Sequence, residues 1–290
     1  MMPRPVSQAM GRALGFTLGS ILRYRRRDAL DALSRAFPER SSADHHDILN
    51  RMYRHLGLTI VETLRIEKEG RGYLTQRMEW RGREFLDRAL EDKRGVLVLS
   101  AHTGNWELGI TALSALGYPA SVVVKTIRNR AVRDRVGRIR RSFGLKELPA
   151  RGAYRACLKA LRNNEIVAFV LDQNMTRPEG VFVEFFGQMA CTTPGLAHLA
   201  WVSGAPVIAI FMERLENGRH RYHCCSPLPP PAGRDTESLT EATRRYTRAI
   251  EQFVREHPDQ WIWIHRRWKT RPLVRAGAFA ERPNGEAPAL

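Results

Sequence analysis

The chain has 290 residues, 43% hydrophobic and 27% charged, a balance that supports a packed core and excludes a disordered or collagen-like protein. Lysine and arginine number 47 against 30 acidic residues, a formal net charge of +17, which implies a polyanionic partner: nucleic acid, an anionic membrane surface or phosphorylated substrates. The four cysteines, Cys157, Cys191, Cys224 and Cys225, show no C-x-x-C spacing, and adjacent Cys224-Cys225 makes a poor disulfide or ligand pair, so reduced thiols and a metal-free chain are expected.

The opening 40 residues read as helical, with Leu14, Leu18, Ile21 and Leu22 on one side and Arg12, Arg23 and Arg25 to Arg27 around them. Such a basic amphipathic segment suits a bilayer interface; the alternative is a helix packed on its own domain with a solvated basic end. The apolar stretch Ala13 to Leu22 is short, interrupted by glycines and followed at once by Arg23-Tyr24-Arg25-Arg26-Arg27, an order unlike a signal peptide. No segment reaches the about 20 apolar residues of a membrane span. A second helix is expected between Ser41-Ser42 and about Glu67, where Ile48, Met52, Leu56, Ile60 and Leu64 recur at helical spacing behind a serine cap.

From Gly95 onward, strand-like runs alternate with helical patterns. Val96 to Leu99, Val122 to Val124, Ile166 to Leu171, Val181 to Phe186 and Pro206 to Phe211 read as strands, with helices between them near 105–116, 131–142, 152–162 and 195–203. This alternation predicts an α/β domain with a mixed, mainly parallel sheet flanked by helices. A stiff loop at Pro227 to Gly233 precedes a helix capped near Asp235-Thr236 and running to about His257. The expected division is an N-terminal helical membrane-associating segment at 1–40, an α/β domain at 41–276 and a flexible tail at 277–290.

The chemistry concentrates in Gly95-Val-Leu-Val-Leu-Ser-Ala-His102-Thr-Gly-Asn105-Trp106-Glu107. His102 stands just past the carboxyl end of a buried strand, where open α/β sheets place ligands. On an uninterrupted helix His102 and Glu107 would stand about 140° apart, so a break is required. Gly104 permits the turn, and Asn105 can cap a helix whose first turn carries Glu107. A histidine held by a carboxylate has its tautomer fixed and its protonated form stabilised, so it can activate a substrate hydroxyl; the bland reading makes both residues structural hydrogen-bonders.

His102-Thr-Gly-Asn-Trp-Glu107 resembles the H-x4-D/E motif of the glycerolipid and lysophospholipid acyltransferase superfamily. Three more blocks occur in order: Ala36-Phe37-Pro38-Glu39-Arg40-Ser41; Asp172-Gln173-Asn174 with Gly180-Val-Phe-Val-Glu-Phe-Phe-Gly187 and Thr192-Thr193-Pro-Gly-Leu-Ala-His-Leu-Ala200; and Gln260-Trp-Ile-Trp-Ile-His265-Arg266-Arg267-Trp268-Lys269-Thr-Arg-Pro272. Together they resemble the bacterial lipid A biosynthesis acyltransferase branch, the late lauroyl/myristoyl transferases, with the phosphatidylinositol mannoside acyltransferases as relatives.

That resemblance implies attack by a hydroxyl of a lipid A precursor or comparable glycolipid on an acyl thioester, with His102 as general base and Glu107 as its partner. The donor is an acyl carrier protein or coenzyme A, with no metal or organic cofactor. The location implied is the cytoplasmic face of the inner membrane, attached peripherally or monotopically through the basic surface. Lys125 and Arg128, after the second strand, are candidate substrate contacts, although the family often carries Arg at the position of Lys125. Asp172, at a strand end, and Glu184, where the mannoside-type relatives favour an acid, are candidates for orienting the acceptor hydroxyl.

Arg133, Arg135, Arg138, Arg140 and Arg141 surround the helix whose inner face carries Val132, Val136, Ile139 and Phe143, and read mostly as a solvated basic face. His220 and His223 in His220-Arg-Tyr-His223-Cys224-Cys225 point to opposite faces of a strand, which argues against a metal site built from that pair. Rival readings are another lysolipid acyltransferase, a non-catalytic lipid-binding member, and a basic nucleic-acid-binding protein; no recognised nucleic-acid motif supports the last.

Overall fold

The structure is a computed structural model that describes residues 3–273, so the expected tail at 277–290 lies outside the described residues. Helix α1 (Arg4–Phe16) carries proline in its first turn and runs on through a π-helical turn at Thr17–Ile21. Helix α2 (Arg26–Ala36) follows Arg25, whose φ of 52° turns the chain sharply. Helix α3 (Ser42–Thr75) starts with a reciprocal cap: the Asp44 N–H donates to Ser41 Oγ and the Ser41 N–H to the Asp44 carboxylate, both at 3.1 Å. Its helical geometry breaks once, at Gly70.

Close backbone approach holds α1 on α3. A Cβ added at Gly57 would stand 2.1 Å from the Gly11 carbonyl oxygen, and one at Gly15 would stand 2.3 Å from that of Tyr53. Only glycine fits at such a crossing. The inner face of the N-terminal segment is therefore buried on its own domain, with Leu14 and Leu18 partly covered, while Val6, Met10, Phe16, Ile21, Leu22 and Tyr24 remain exposed. Among the described residues, no helix is long and apolar enough to cross a membrane.

The remainder is a layered α/β body. In chain order come β1 (Met78–Arg81), α4 (Arg83–Glu91), β2 (Val96–Ser100), α5 (Trp106–Ala115), β3 (Ala120–Val124), α6 (Arg130–Ser142), β4 (Lys146–Pro149), α7 (Ala153–Arg162) and β5 (Ile166–Val170). They are followed by β6 (Val181–Phe185), β7 (Gln188–Thr192), α8 (Gly195–Ser203), β8 (Val207–Arg214), β9 (His220–Cys224) and α9 (Thr236–Glu256). The main sheet runs β1-β9-β8-β2-β5-β3-β4, and every neighbouring pair is parallel except β8 with β9.

β2 sits between β8 and β5 and is buried on both faces, which is why Val96-Leu97-Val98-Leu99 reads as continuous rather than alternating hydrophobicity. Leu97, Leu99, Val207 and Ala209 belong to one apolar layer with residues of α8 and α9; Val96, Val98, Ile208 and Ile210 belong to the other with residues of α4, α5 and α6. The run at Val181–Phe186 departs from the expected alternation. It pairs with β7 as a separate antiparallel hairpin, because only the two residues Phe186 and Gly187 separate the strands, too few for the crossover a parallel pair needs.

Replacing Gly57 by Leu is expected to push α1 off α3 at a cost of about 1–3 kcal/mol, read as a lower melting temperature and faster proteolysis near Thr17–Arg25. Gly72→Ala, in the same helix but with nothing within 4 Å of an added Cβ, is the control that leaves both unchanged or improved.

Candidate active site

Sheet register brings the central residues together. Ser100 on β2 lies opposite Val170 on β5, so the two strands end level, and two further residues after each strand carry His102 and Asp172 to the same carboxyl edge. The Asp172 carboxylate accepts three hydrogen bonds: from the His102 backbone N–H at 2.9 Å, from His102 Nδ1 at 2.8 Å and from the buried indole of Trp261 at 2.7 Å. Trp261 is itself fixed by a β-bridge to Thr103. Burial favours the neutral acid, but the His102 ring and these donors outweigh it and hold the Asp172 pKa far below the ordinary carboxylate range. Burial likewise pulls His102 down, yet the facing carboxylate, with a smaller contribution from Glu107, leaves its pKa raised.

With Nδ1–H donated to Asp172, the His102 Nε2 is left to accept a proton. The Gln173 side-chain amide stands 3.4 Å from it, and the Trp106 ring lies edge-on at 5.2 Å between centroids. His102 borders a cavity of about 590 Å³ that reaches along the sheet among Val98, Ile110, Leu113, Val122, Ala168 and Ile210. A volume of that size suits a substantial organic ligand, and its walls are mainly aliphatic.

The turn after β2 folds as its sequence suggests. Gly104 takes a φ of 53°, and a Cβ there would meet the Met212 carbonyl oxygen at 2.5 Å. Asn105 caps α5, its side chain accepting the Leu108 N–H at 3.0 Å, and Glu107 falls in the first turn. Glu107 is not, however, the residue that grips His102. Its carboxylate forms a two-point pair with Arg140 of α6, at 2.6 and 2.7 Å, and Arg140 also holds Glu147 at 2.6 Å. The guanidinium fork one helix away satisfies both oxygens of Glu107, while Asp172, level with His102 on the adjacent strand, takes the imidazole.

The other sequence candidates, all three exposed, separate by whether they line the cavity. Lys125 lines the cavity mouth, where its ammonium group approaches the Met175 sulfur at 3.7 Å. Arg128 is exposed in the loop before α6 and is not part of the cavity wall. Glu184 is also exposed and away from the cavity: along β6, Val183 and Phe185 point into the core, and the period of two turns Glu184 outward. Most arginines of α6 are on the surface, some paired, as Arg135 is with Glu67 and Arg130 and Arg133 are with Asp134.

Three contributors were not assigned these roles from the sequence. Arg140 follows Val136, which lines the cavity, by four residues, and that spacing is the signal that places it on the inner side of α6. Trp261 supplies the third bond to Asp172. Arg267 is buried over the Phe185 ring, donating to the backbone carbonyls of Gln173 and Cys191 and to Thr192 Oγ1; burial pushes its pKa down to about 10. Beside it His265 Nε2 accepts the Asn174 N–H at 2.8 Å, and burial pushes that histidine down to about 4.

Comparison with known proteins finds relatives along nearly the whole chain. The palmitoleoyltransferase of lipid A biosynthesis from Escherichia coli K12 is 28% identical over 281 residues, covering 96% of this chain and 90% of that protein. The lauroyltransferase of the same strain is 26% identical, covering 93% and 88%, and the myristoyltransferase 25%, covering 89% and 79%. The profile of the family described as bacterial lipid A biosynthesis acyltransferase matches residues 1–270. The match extends from α1 through the His102–Asp172 site to the Trp261–Trp268 block, and the chain belongs to the bacterial lipid A biosynthesis acyltransferases.

Proposed function

We propose that this acyltransferase moves a fatty acyl chain from an acyl thioester to a hydroxyl of a lipid A precursor, with His102 as the general base and Asp172 as the carboxylate that orients it. The observation that carries the reading is the 2.8 Å bond from His102 Nδ1 to Asp172 at the mouth of the aliphatic cavity. His102 Nε2 takes the proton as the acceptor oxygen attacks the thioester carbonyl. When the tetrahedral intermediate collapses and the carbon–sulfur bond breaks, the imidazolium returns that proton to the departing sulfur. The aliphatic cavity receives the acyl chain, and Glu107 with Arg140 braces the wall beside His102.

An acyl carrier protein is the favoured donor. Such carriers are acidic, and a net charge of +17 speeds encounter with them; coenzyme A is the second donor class. No metal or organic cofactor enters these steps. Val6, Met10, Phe16, Ile21 and Leu22, exposed beside Arg12 and Arg23, form the surface that would rest in the cytoplasmic leaflet of the inner membrane.

His102→Ala is expected to lower turnover by on the order of 10²- to 10⁴-fold in a detergent assay with acyl-carrier donor and lipid A precursor, with the circular dichroism unchanged. Undiminished transfer would overturn the mechanism. Lipid mass spectrometry of a gene deletion should show a lipid A species short of one acyl chain; a loss confined to another glycolipid would move the acceptor assignment.

The pH dependence separates the two carboxylates. A general base must be neutral, so kcat/KM should rise as pH climbs through the raised pKa of His102. Asp172→Asn removes the main charge that raises it, so the acid limb should move to lower pH while the maximal rate falls on the order of 100-fold or more. Glu107→Gln should move that limb less and act chiefly on stability, by about 1–3 kcal/mol, by weakening the buried pair with Arg140. The reverse ranking would make Glu107 the partner of the histidine.

A further inference from the structure

A second cluster of chemically capable side chains lies on β8 and β9, on the face opposite Ile210, Met212 and Tyr222, which line the cavity. β8 and β9 pair antiparallel with Phe211 opposite His223 and Glu213 opposite Arg221, so Glu213 and His223 are diagonal neighbours on one face, within reach of each other. His223 Nε2 and Glu213 Oε2 stand 2.7 Å apart. His257, at the C-terminal cap of α9, closes over the pair, its ring centroid 5.6 Å from that of His223 and 4.6 Å from that of Phe253. One ligand atom from each of the three residues lies within 4.8 Å of the other two, and all three side chains are partly buried.

We propose that Glu213, His223 and His257 bind one divalent transition-metal ion of the zinc type, which clips the β8–β9 hairpin to the turn after α9. The donor set is two imidazoles and one carboxylate, which suits zinc, cobalt or nickel over magnesium or calcium. Metal–ligand bonds of about 2.0–2.2 Å require only small side-chain rotations to gather the three atoms, leaving a coordination position for water. His220 takes no part: it points through the other face of β9 toward Glu62, at 3.5 Å. The nearest competing cation is Arg221, which reaches the Glu213 oxygen at 3.6 Å but is also held by Glu79 at 3.0 Å.

The position gives the ion a structural consequence. His257 leads through the short 3-10 turn Pro258–Gln260 into Trp261, whose indole holds Asp172. Fixing His257 to β8 and β9 anchors the start of that turn, four residues from the tryptophan, and makes the metal a brace for the active-site edge rather than a participant in acyl transfer.

The test uses the tag-free full chain in detergent, stripped with a chelator, titrated with Co²⁺ followed by visible absorption and with Zn²⁺ followed by calorimetry. One equivalent should bind and raise the melting temperature. His257→Gln and Glu213→Gln should each weaken binding at least tenfold and abolish the thermal shift with the circular dichroism retained, whereas His46→Ala, at an exposed position of α3, should change neither. Failure to saturate near one equivalent, or equal affinity in a folded His257→Gln variant, would overturn the proposal.

Discussion

A single buried carboxylate organises the functional edge of this molecule. Asp172 is almost fully enclosed, and a charge in that position is tolerated only where donors replace the water it has lost. Its three donors come from distant parts of the chain: the backbone and ring of His102 after β2, and the indole of Trp261 after α9. Satisfying that one group fixes the imidazole tautomer, aligns the turn after β2 with the end of β5 and pins the C-terminal segment across both. The geometry that orients the imidazole is thus the same geometry that solvates the acid.

The neighbouring polar groups serve the turn from behind. Thr59 of α3 donates to the Gly104 carbonyl at 3.1 Å, and Glu62, one helical turn on, accepts from the Asn105 side-chain amide at 2.8 Å. Glu62 also pairs with Arg214 at the end of β8; against the upward pull of burial, that arginine and His220 keep its pKa far below the usual range. Gln260 binds the Arg214 backbone through both ends of its amide. The segment from His102 to Asn105 is therefore held by α3 on one side and by the strands and C-terminal block on the other. α3 is also the helix on which α1 lies, so one helix meets both the N-terminal segment and the turn that follows His102.

Much of this was legible in the sequence because it rests on local pattern. The apolar runs of β2, β3, β5 and β8, the caps at Ser41, Asn105 and Asp235, and the glycine-enabled turn after His102 are written in adjacent residues, and the structure forms them near their expected bounds. The partner of His102 was not legible in that way. Glu107 is five residues away and Asp172 seventy, and spacing along a helix says nothing about which strand lies alongside; that choice follows from the β2–β5 register. Arg140 was read with the basic surface of α6 because its charge matches its neighbours, whereas burial selects it by its position above the cavity. The short edge strands β1 and β4, with mixed polarity and four residues each, carry too little periodicity to stand out.

The order of the sheet bears on how the protein is made. Among the described residues β1 has β9 as its one strand partner, where Met78 meets His220, and Trp261 must arrive before Asp172 has its third donor. During ribosomal synthesis the edge at β1 therefore waits with unpaired backbone groups for nearly half the chain, and the central strand β2 waits for β8 on one flank. Long-range pairings of this kind slow folding and expose apolar strands to aggregation. The nascent chain would thus reach competence only as its last quarter emerges, which gives chaperones an extended interval in which to guard the α1–α3 helices and the unfinished sheet.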